Sequence, residues 1–251
     1  MAHAVRSRDD VPMKTATSNQ TGPAAFSRTV HPCSGCELLN ADWNMPSNAR
    51  GLVLFAHGSG SGRHSPRNRA VARYLQDRGL GTLLLDLLTT EEEEEDRVTS
   101  RLRFNIPLLS RRLVDATRWI MAQDEAQGVP VSYFGASTGA AAALIAAARI
   151  PGEIASVVSR GGRPDLAGDF LPQVDSPTLL LVGGEDGIVI ALNRRAMERM
   201  LCPCQLIIIP GATHLFEEPG KLEEVAQLAA GWFLKHGHPA FTHRSSRGDL
   251  S

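Results

Sequence analysis

The chain has 251 residues, 43% of them hydrophobic and 21% charged, which is enough for one α/β domain whose core needs no disulfide staple or structural metal. A formal charge of −1 removes the electrostatic grounds for nucleic acid or an anionic membrane surface as partner. The longest apolar run, residues 140–148, is far short of the roughly 18 residues that a spanning helix requires.

Residues 1–25 are rich in Ser, Thr, Arg and Asp and lack the apolar stretch of a signal peptide. They read as a disordered tail on a cytoplasmic protein. Short, nearly continuous apolar runs follow at 51–57 (GLVLFAH), 81–86 (GTLLLD), 129–134 (VPVSYF), 154–159 (IASVVS), 178–183 (TLLLVG) and 205–209 (QLIII). Such runs are the mark of parallel strands buried on both faces. Segments with apolar residues three and four apart alternate with them, predicting helices over 68–78, 106–123, 138–148, 192–200 and 221–235. The alternation predicts a single α/β domain over 26–236, a doubly wound, mostly parallel sheet flanked by helices. Residues 237–251 read as a mobile C-terminal tail.

The acidic run Glu91–Asp96 is expected to be a solvated loop or helix start, with Arg97, Arg101 and Arg103 available for local pairing. Four cysteines occur as Cys33-x-x-Cys36 and Cys202-x-Cys204. Four thiolates could in principle bind zinc, or pair as disulfides, but a chain of this length needs neither, and free thiols are expected.

The chemistry centres on Gly135-Ala136-Ser137-Thr138-Gly139, which follows one predicted strand and opens a predicted helix. In that setting G-x-S-x-G forms a turn so tight that its flanking residues must be small, and the serine is held out at the strand's C-terminal edge. A serine hydroxyl needs a base to take its proton. His214 lies in a loop just after the last strand, on the edge where ligands gather in a doubly wound sheet. Asp186, after the strand at 178–183, lies between Ser137 and His214 in the chain and can orient the imidazole; Glu185, Asp165 and Asp175 are its competitors. The developing oxyanion needs two donors. These are expected from the backbone N–H of Thr138 and that of Ser59, with Gly58 as alternative, in the glycine-rich loop His57-Gly58-Ser59-Gly60-Ser61-Gly62-Arg63-His64. The loop lacks the G-K-[ST] ending of a phosphate cradle and the G-x-G-x-x-G spacing of a dinucleotide site. Gly58, His64 and Arg163 are candidates for contact with substrate, and Arg160 and Arg163 could steer a carboxylate.

With these residues in view, the chain resembles the dienelactone hydrolase-like branch of the α/β-hydrolases. The similar stretches are HGSGSGRHSPRN (57–68), YFGASTGAAAAL (133–144), SRGGRPDLAG (159–168), LLVGGEDGIV (180–189) and PGATHLFEEPG (210–220). They look like a bacterial group sometimes fused to a phosphoribosyltransferase domain, though no motif of such a domain is found here and none is expected. The resemblance implies an α/β-hydrolase fold with little or no cap. Dienelactone hydrolases proper carry a cysteine where this chain has Ser137, which favours ordinary carboxylic esters. The expected activity is a serine carboxylesterase acting on small, short-chain acyl esters without metal or organic cofactor. The alternatives are a thioesterase, a lactonase, an acyltransferase, or a binding protein on the same fold. Oligomeric state is left open.

Overall fold

The computed structural model describes residues 25–35 and 37–237. The expected tails lie outside the described residues but for Ala25 and Gly237, as does Cys36. In chain order the elements begin with β1 (Phe26–Val30), a two-residue ribbon of β2 (Cys33–Ser34) and β3 (Glu37–Leu38), β4 (Ala41–Met45) and β5 (Leu52–Ala56). There follow α1 (Pro66–Gln76), β6 (Gly81–Leu85), α2 (Thr90–Thr99), α3 (Ile106–Met121), β7 (Val131–Ala136) and α4 (Thr138–Arg149). The last are β8 (Ile154–Arg160), β9 (Thr178–Gly183), α5 (Gly187–Arg199), β10 (Cys204–Ile209) and α6 (Lys221–His236).

The main sheet has eight strands in the order β1-β4-β6-β5-β7-β8-β9-β10. The six from β6 to β10 are parallel, and β4 and β1 add an antiparallel edge. Every residue of β5, β6, β7 and β9 is buried, which explains their unbroken apolar runs. Alternate side chains serve two cores. Leu52, Leu54, Tyr133 and Val157 face α3 and α4; Val53, Phe55, Phe134, Val158 and Leu181 face α1 and α6. The strand after β5 joins on one side and β7 joins on the other, so β5 and β7 border the point where strand order reverses. In open α/β sheets the crevice beyond that point is where ligands bind.

Two edge strands were not anticipated. In β4 (ADWNM) burial alternates strictly, with Ala41, Trp43 and Met45 inward and Asp42 and Asn44 outward. Trp43 is completely buried, with Phe26 of β1 edge-on at 4.8 Å. Arg28 covers both rings, 4.4 and 4.7 Å from their centres. Of the two forms expected for the acidic run, the helix start is the one formed: it opens α2 and makes up most of it. Thr89 and Glu92 close a reciprocal capping box, Glu92 pairs with the buried Arg112 of α3, and Asp96 is itself buried. Helix α5 starts at Gly187, five residues before its predicted start.

Between β8 and β9 the chain makes only a short 3-10 segment, Pro164–Gln173, packed on α4 and α5. No cap stands over the sheet's C-terminal edge there. Among the described residues no helix is long and apolar enough to cross a membrane. Cys33, Cys202 and Cys204 are free thiols; burial pushes Cys202 up and Cys204 up to about 12.

Candidate active site

Ser137 sits between β7 and α4 with φ 49° and ψ −121°, a left-handed conformation that costs a non-glycine residue about 1–3 kcal/mol. Its surroundings hold it there. The Ser137 N–H donates to Arg160 O at 3.2 Å, and its own carbonyl accepts from Ala140 N–H (3.1 Å) and Arg163 N–H (3.0 Å). The flanking glycines are sterically required. A Cβ on Gly135 would lie 2.5 Å from Ala140 Cα, and one on Gly139 only 2.1 Å from Ala56 O. Residues 138–147 of the alanine-rich α4 are all buried, so the helix lies close beneath the turn.

The loop after β5 reaches the same place. Gly58 packs on Ser137 so closely that an added Cβ would be 3.0 Å from Ser137 Cβ. The backbone N–H groups of Ser59 and Thr138 donate to no protein acceptor among the described residues. That leaves two donors for an oxyanion beside the hydroxyl. His57 anchors this loop. It is buried; its Nδ1 lies 2.9 Å from Gly58 O, and its Nε2 accepts from Leu87 N–H at 3.0 Å. The two contacts require a neutral ring protonated at Nδ1, and burial lowers its pKa accordingly. Farther along, the Asp86 carboxylate takes the Arg63 N–H at 2.6 Å and pairs with the Arg63 guanidinium.

Asp186 and His214 meet across the loops after β9 and β10, with Oδ2 2.7 Å from Nδ1. Those loops interlock. Glu185 N–H donates to Ala212 O, and a Cβ on Gly183 would strike Ala212 O at 2.4 Å. Thr213 N–H donates to Glu218 Oε1, and buried Phe216 adopts φ 58°, so His214 rides on a tight, fixed turn. The His214 ring borders Gly161, where a Cβ would lie 3.5 Å from its Cε1; Gly161 follows the residue that binds Ser137 N–H. Ser137 and His214 are not hydrogen-bonded to each other among the described residues.

The dienelactone hydrolase family model matches residues 46–234. The chain belongs to the dienelactone hydrolase family. It is similar to the crystal structure of a dienelactone hydrolase from Anabaena variabilis ATCC 29413. That match has 54% identity and a TM-score of 0.84, and covers 86% of this chain and 100% of that one. A carboxyl esterase 2 from the fungus Tuber melanosporum shares the fold at 15% identity, with a TM-score of 0.66 over 87% of this chain and 90% of its own. Two curated relatives from Mycobacterium tuberculosis, strains CDC 1551 / Oshkosh and ATCC 25618 / H37Rv, are 56% identical over 192 residues. Both bear the name "Putative phosphoribosyl transferase"; the match is 76% of this chain but only 42% of each relative.

Within this dienelactone hydrolase fold the remaining candidates disperse. His64 is exposed and lines a depression with Asn40, Asp86 and Glu93, whose lining includes neither Ser137 nor His214. The Arg163 guanidinium is held by both oxygens of Asp165, each at 2.8 Å, so Asp165 is engaged there rather than with His214. A cavity of about 110 Å³ opens beside the Gly58–Ser61 loop, closed by Leu88, Leu109 and Arg103. Sequence reasoning assigned no role to His57, whose partner on Leu87 is 30 residues away.

Proposed function

We propose that this family member is a serine carboxylesterase that cleaves small oxygen esters through an acyl-enzyme. The observation that carries the reading is the Asp186–His214 hydrogen bond, formed at the rim where Ser137 is held in its strained turn. With His214 Nδ1–H donating to Asp186, the unprotonated Nε2 is the acceptor for the Ser137 proton. As Ser137 Oγ attacks the ester carbonyl, negative charge develops on the carbonyl oxygen, which the N–H groups of Ser59 and Thr138 stabilise. His214 then returns the proton to the departing alkoxide, and water repeats the sequence on the acyl-enzyme. The missing Ser137–His214 hydrogen bond fits a resting site, since such contacts often tighten only with substrate bound.

The absence of a cap between β8 and β9 leaves the site open, and small, short-chain acyl esters are the substrates of this reading. Treatment with a fluorophosphonate probe tests the proposal. Mass spectrometry is expected to place the adduct on Ser137, with no labelling of Ser137→Ala. Equal labelling of that variant would sink the proposal.

A further inference from the structure

Asn193, in the middle of α5, is completely buried. Its Nδ2 donates twice: to Val189 O, one turn earlier in the helix, at 2.8 Å, and to Gly162 O, 31 residues away, at 3.0 Å. Its Oδ1 is sealed from solvent and has no hydrogen-bond partner among the described residues. Leucine would fill a similar space without burying an unpaired acceptor, which costs about 1–3 kcal/mol. Inside a helix the Val189 carbonyl already receives the backbone N–H four residues on, so the bond to Gly162 is the one with no substitute.

Gly162 belongs to the segment that brackets the nucleophile. Arg160 O accepts Ser137 N–H at 3.2 Å, and Arg163 N–H donates to Ser137 O at 3.0 Å. Both backbone groups of Ser137 thus depend on residues 160–163. The segment is tied to β9 by Gly161 N–H, which donates to Leu181 O at 2.8 Å, and to α5 by Asn193. It has no slack between these ties. A Cβ on Gly162 would lie 1.9 Å from Ser159 Oγ and 2.5 Å from Ala140 Cβ. The strained turn at Ser137 persists only where its surroundings over-determine it. Helix α5 also starts beside Asp186, whose carbonyl accepts Ile190 N–H at 2.9 Å. Asp186 and Asn193 are about 10 Å apart along the helix axis. One helix therefore carries the acid at its N-terminus and, two turns on, the tie to the nucleophile's bracket.

We propose that Asn193 is a positioning residue which, by holding Gly162, sets Ser137 in register with the Asp186–His214 pair. It touches no substrate and acts through residues 160–163. The inference rests on the esterase reading and extends it to a residue outside the triad.

Three variants separate the two bonds from each other and from stability. Asn193→Leu keeps the size and removes both bonds. Asn193→Ser keeps a hydroxyl that can bond Val189 O within the helix but is too short for Gly162 O. Ser156→Ala removes the buried Ser132–Ser156 hydroxyl contact (3.1 Å), toward the opposite end of β8, and controls for stability. Each is assayed with p-nitrophenyl acetate well below its unfolding midpoint. Both Asn193 variants are expected to lose about 10- to 100-fold in kcat, the cost of a misplaced reacting group, with KM nearly unchanged. Fluorophosphonate labelling of Ser137 should slow in parallel, while Ser156→Ala stays near wild type in both assays. Wild-type kcat in either Asn193 variant, a loss carried by KM, or an equal loss in Ser156→Ala overturns the proposal. Failure of both Asn193 variants to fold overturns it too, since the residue would then serve stability.

A second measurement needs no turnover. Hydrogen exchange read by mass spectrometry should be faster in Asn193→Ser for peptides holding the Ser137 and Arg163 amides, and unchanged for the Leu87 amide. Unchanged exchange at Ser137 and Arg163 refutes the tie. If the wild type cleaves no ester and takes no label while the exchange difference persists, the esterase reading fails and the tie stands.

Discussion

Asp186 Oδ2 lies 2.7 Å from His214 Nδ1, and the carboxylate side chain is 16% exposed where the imidazole is 41% exposed. The acid is sheltered and the imidazole is the more open of the two, as the proposed role of His214 as base requires. Asp186→Asn preserves the shape but can hold the ring in the wrong tautomer, with Nε2 protonated and unable to accept. The expected outcome is a loss of about 10⁴ in kcat with p-nitrophenyl acetate and a nearly unchanged unfolding midpoint. Glu185→Gln, one residue earlier, should stay within about twofold of wild type. A comparable collapse in Glu185→Gln would reassign the acid.

The two glycines beside Ser137 are constrained to different degrees, which separates stability from catalysis. On Gly139 a Cβ would press into backbone oxygens, Ala56 O at 2.1 Å and His57 O at 2.4 Å, and backbone yields poorly. Gly139→Ala should cost at least about 1–3 kcal/mol in urea unfolding, the range for overpacking. On Gly58 the tightest contact is 3.0 Å, to Ser137 Cβ, at the start of a loop. Gly58→Ala should fold with little loss while kcat drops, because the loop must retreat from the hydroxyl and carry the Ser59 N–H with it. Full activity in Gly58→Ala would argue against Ser59 as an oxyanion donor.

His57 links stability to pH through the same loop. Burial, only partly offset by its bond to Gly58, lowers its pKa below the ordinary 6.5. A histidine depressed on folding stabilises the native state above its unfolded pKa and loses that contribution as pH falls through about 6.5 toward the folded value. His57→Leu would strand Leu87 N–H, and a buried unpaired donor costs about 1–3 kcal/mol. Urea denaturation should show the wild-type advantage over His57→Leu at pH 7.5 and a smaller one at pH 5.5. An advantage that grows on acidification would mean the ring is charged in the native state.

The centre of the fold was legible because its strands are buried on both faces, and Ser137 and Asp186 each follow one of them; His214 follows β10, a half-buried edge strand whose apolar run is still readable. What was hidden depended on partners distant in sequence. The polar half of β4, Asp42 and Asn44, masks a strand whose inward residues are organised by Trp43. The EEEEED run looks too charged for a packed helix until Arg112 of α3 is seen to neutralise Glu92, 20 residues away. Nor could sequence rank Arg160 against Arg163. Arg163 pairs with Asp165, whereas Arg160 Nη1 is buried without a hydrogen-bond partner among the described residues.

The acidic helix makes a second, lower pH boundary. Burial raises the pKa of Asp96 and of Glu92, but in each the guanidinium bonds prevail and hold the carboxyl below its usual range: Arg103 for Asp96, Arg112 for Glu92. Asp96 also accepts the N–H of Leu102 at 2.6 Å, ending α2 and starting the turn that walls the cavity beside the Gly58 loop. Carboxylates depressed on folding stabilise above their unfolded pKa of about 4 and lose that contribution as pH falls through the folded value. Asp96→Asn keeps one acceptor but gives up the charge, and is expected to lose about 1–3 kcal/mol at pH 7 in urea unfolding. The deficit should shrink steadily between about pH 4 and pH 2, where the wild-type carboxyl also becomes neutral. A deficit constant across that range would mean that shape alone, and not the charge on Asp96, holds α2 against the Gly58 loop.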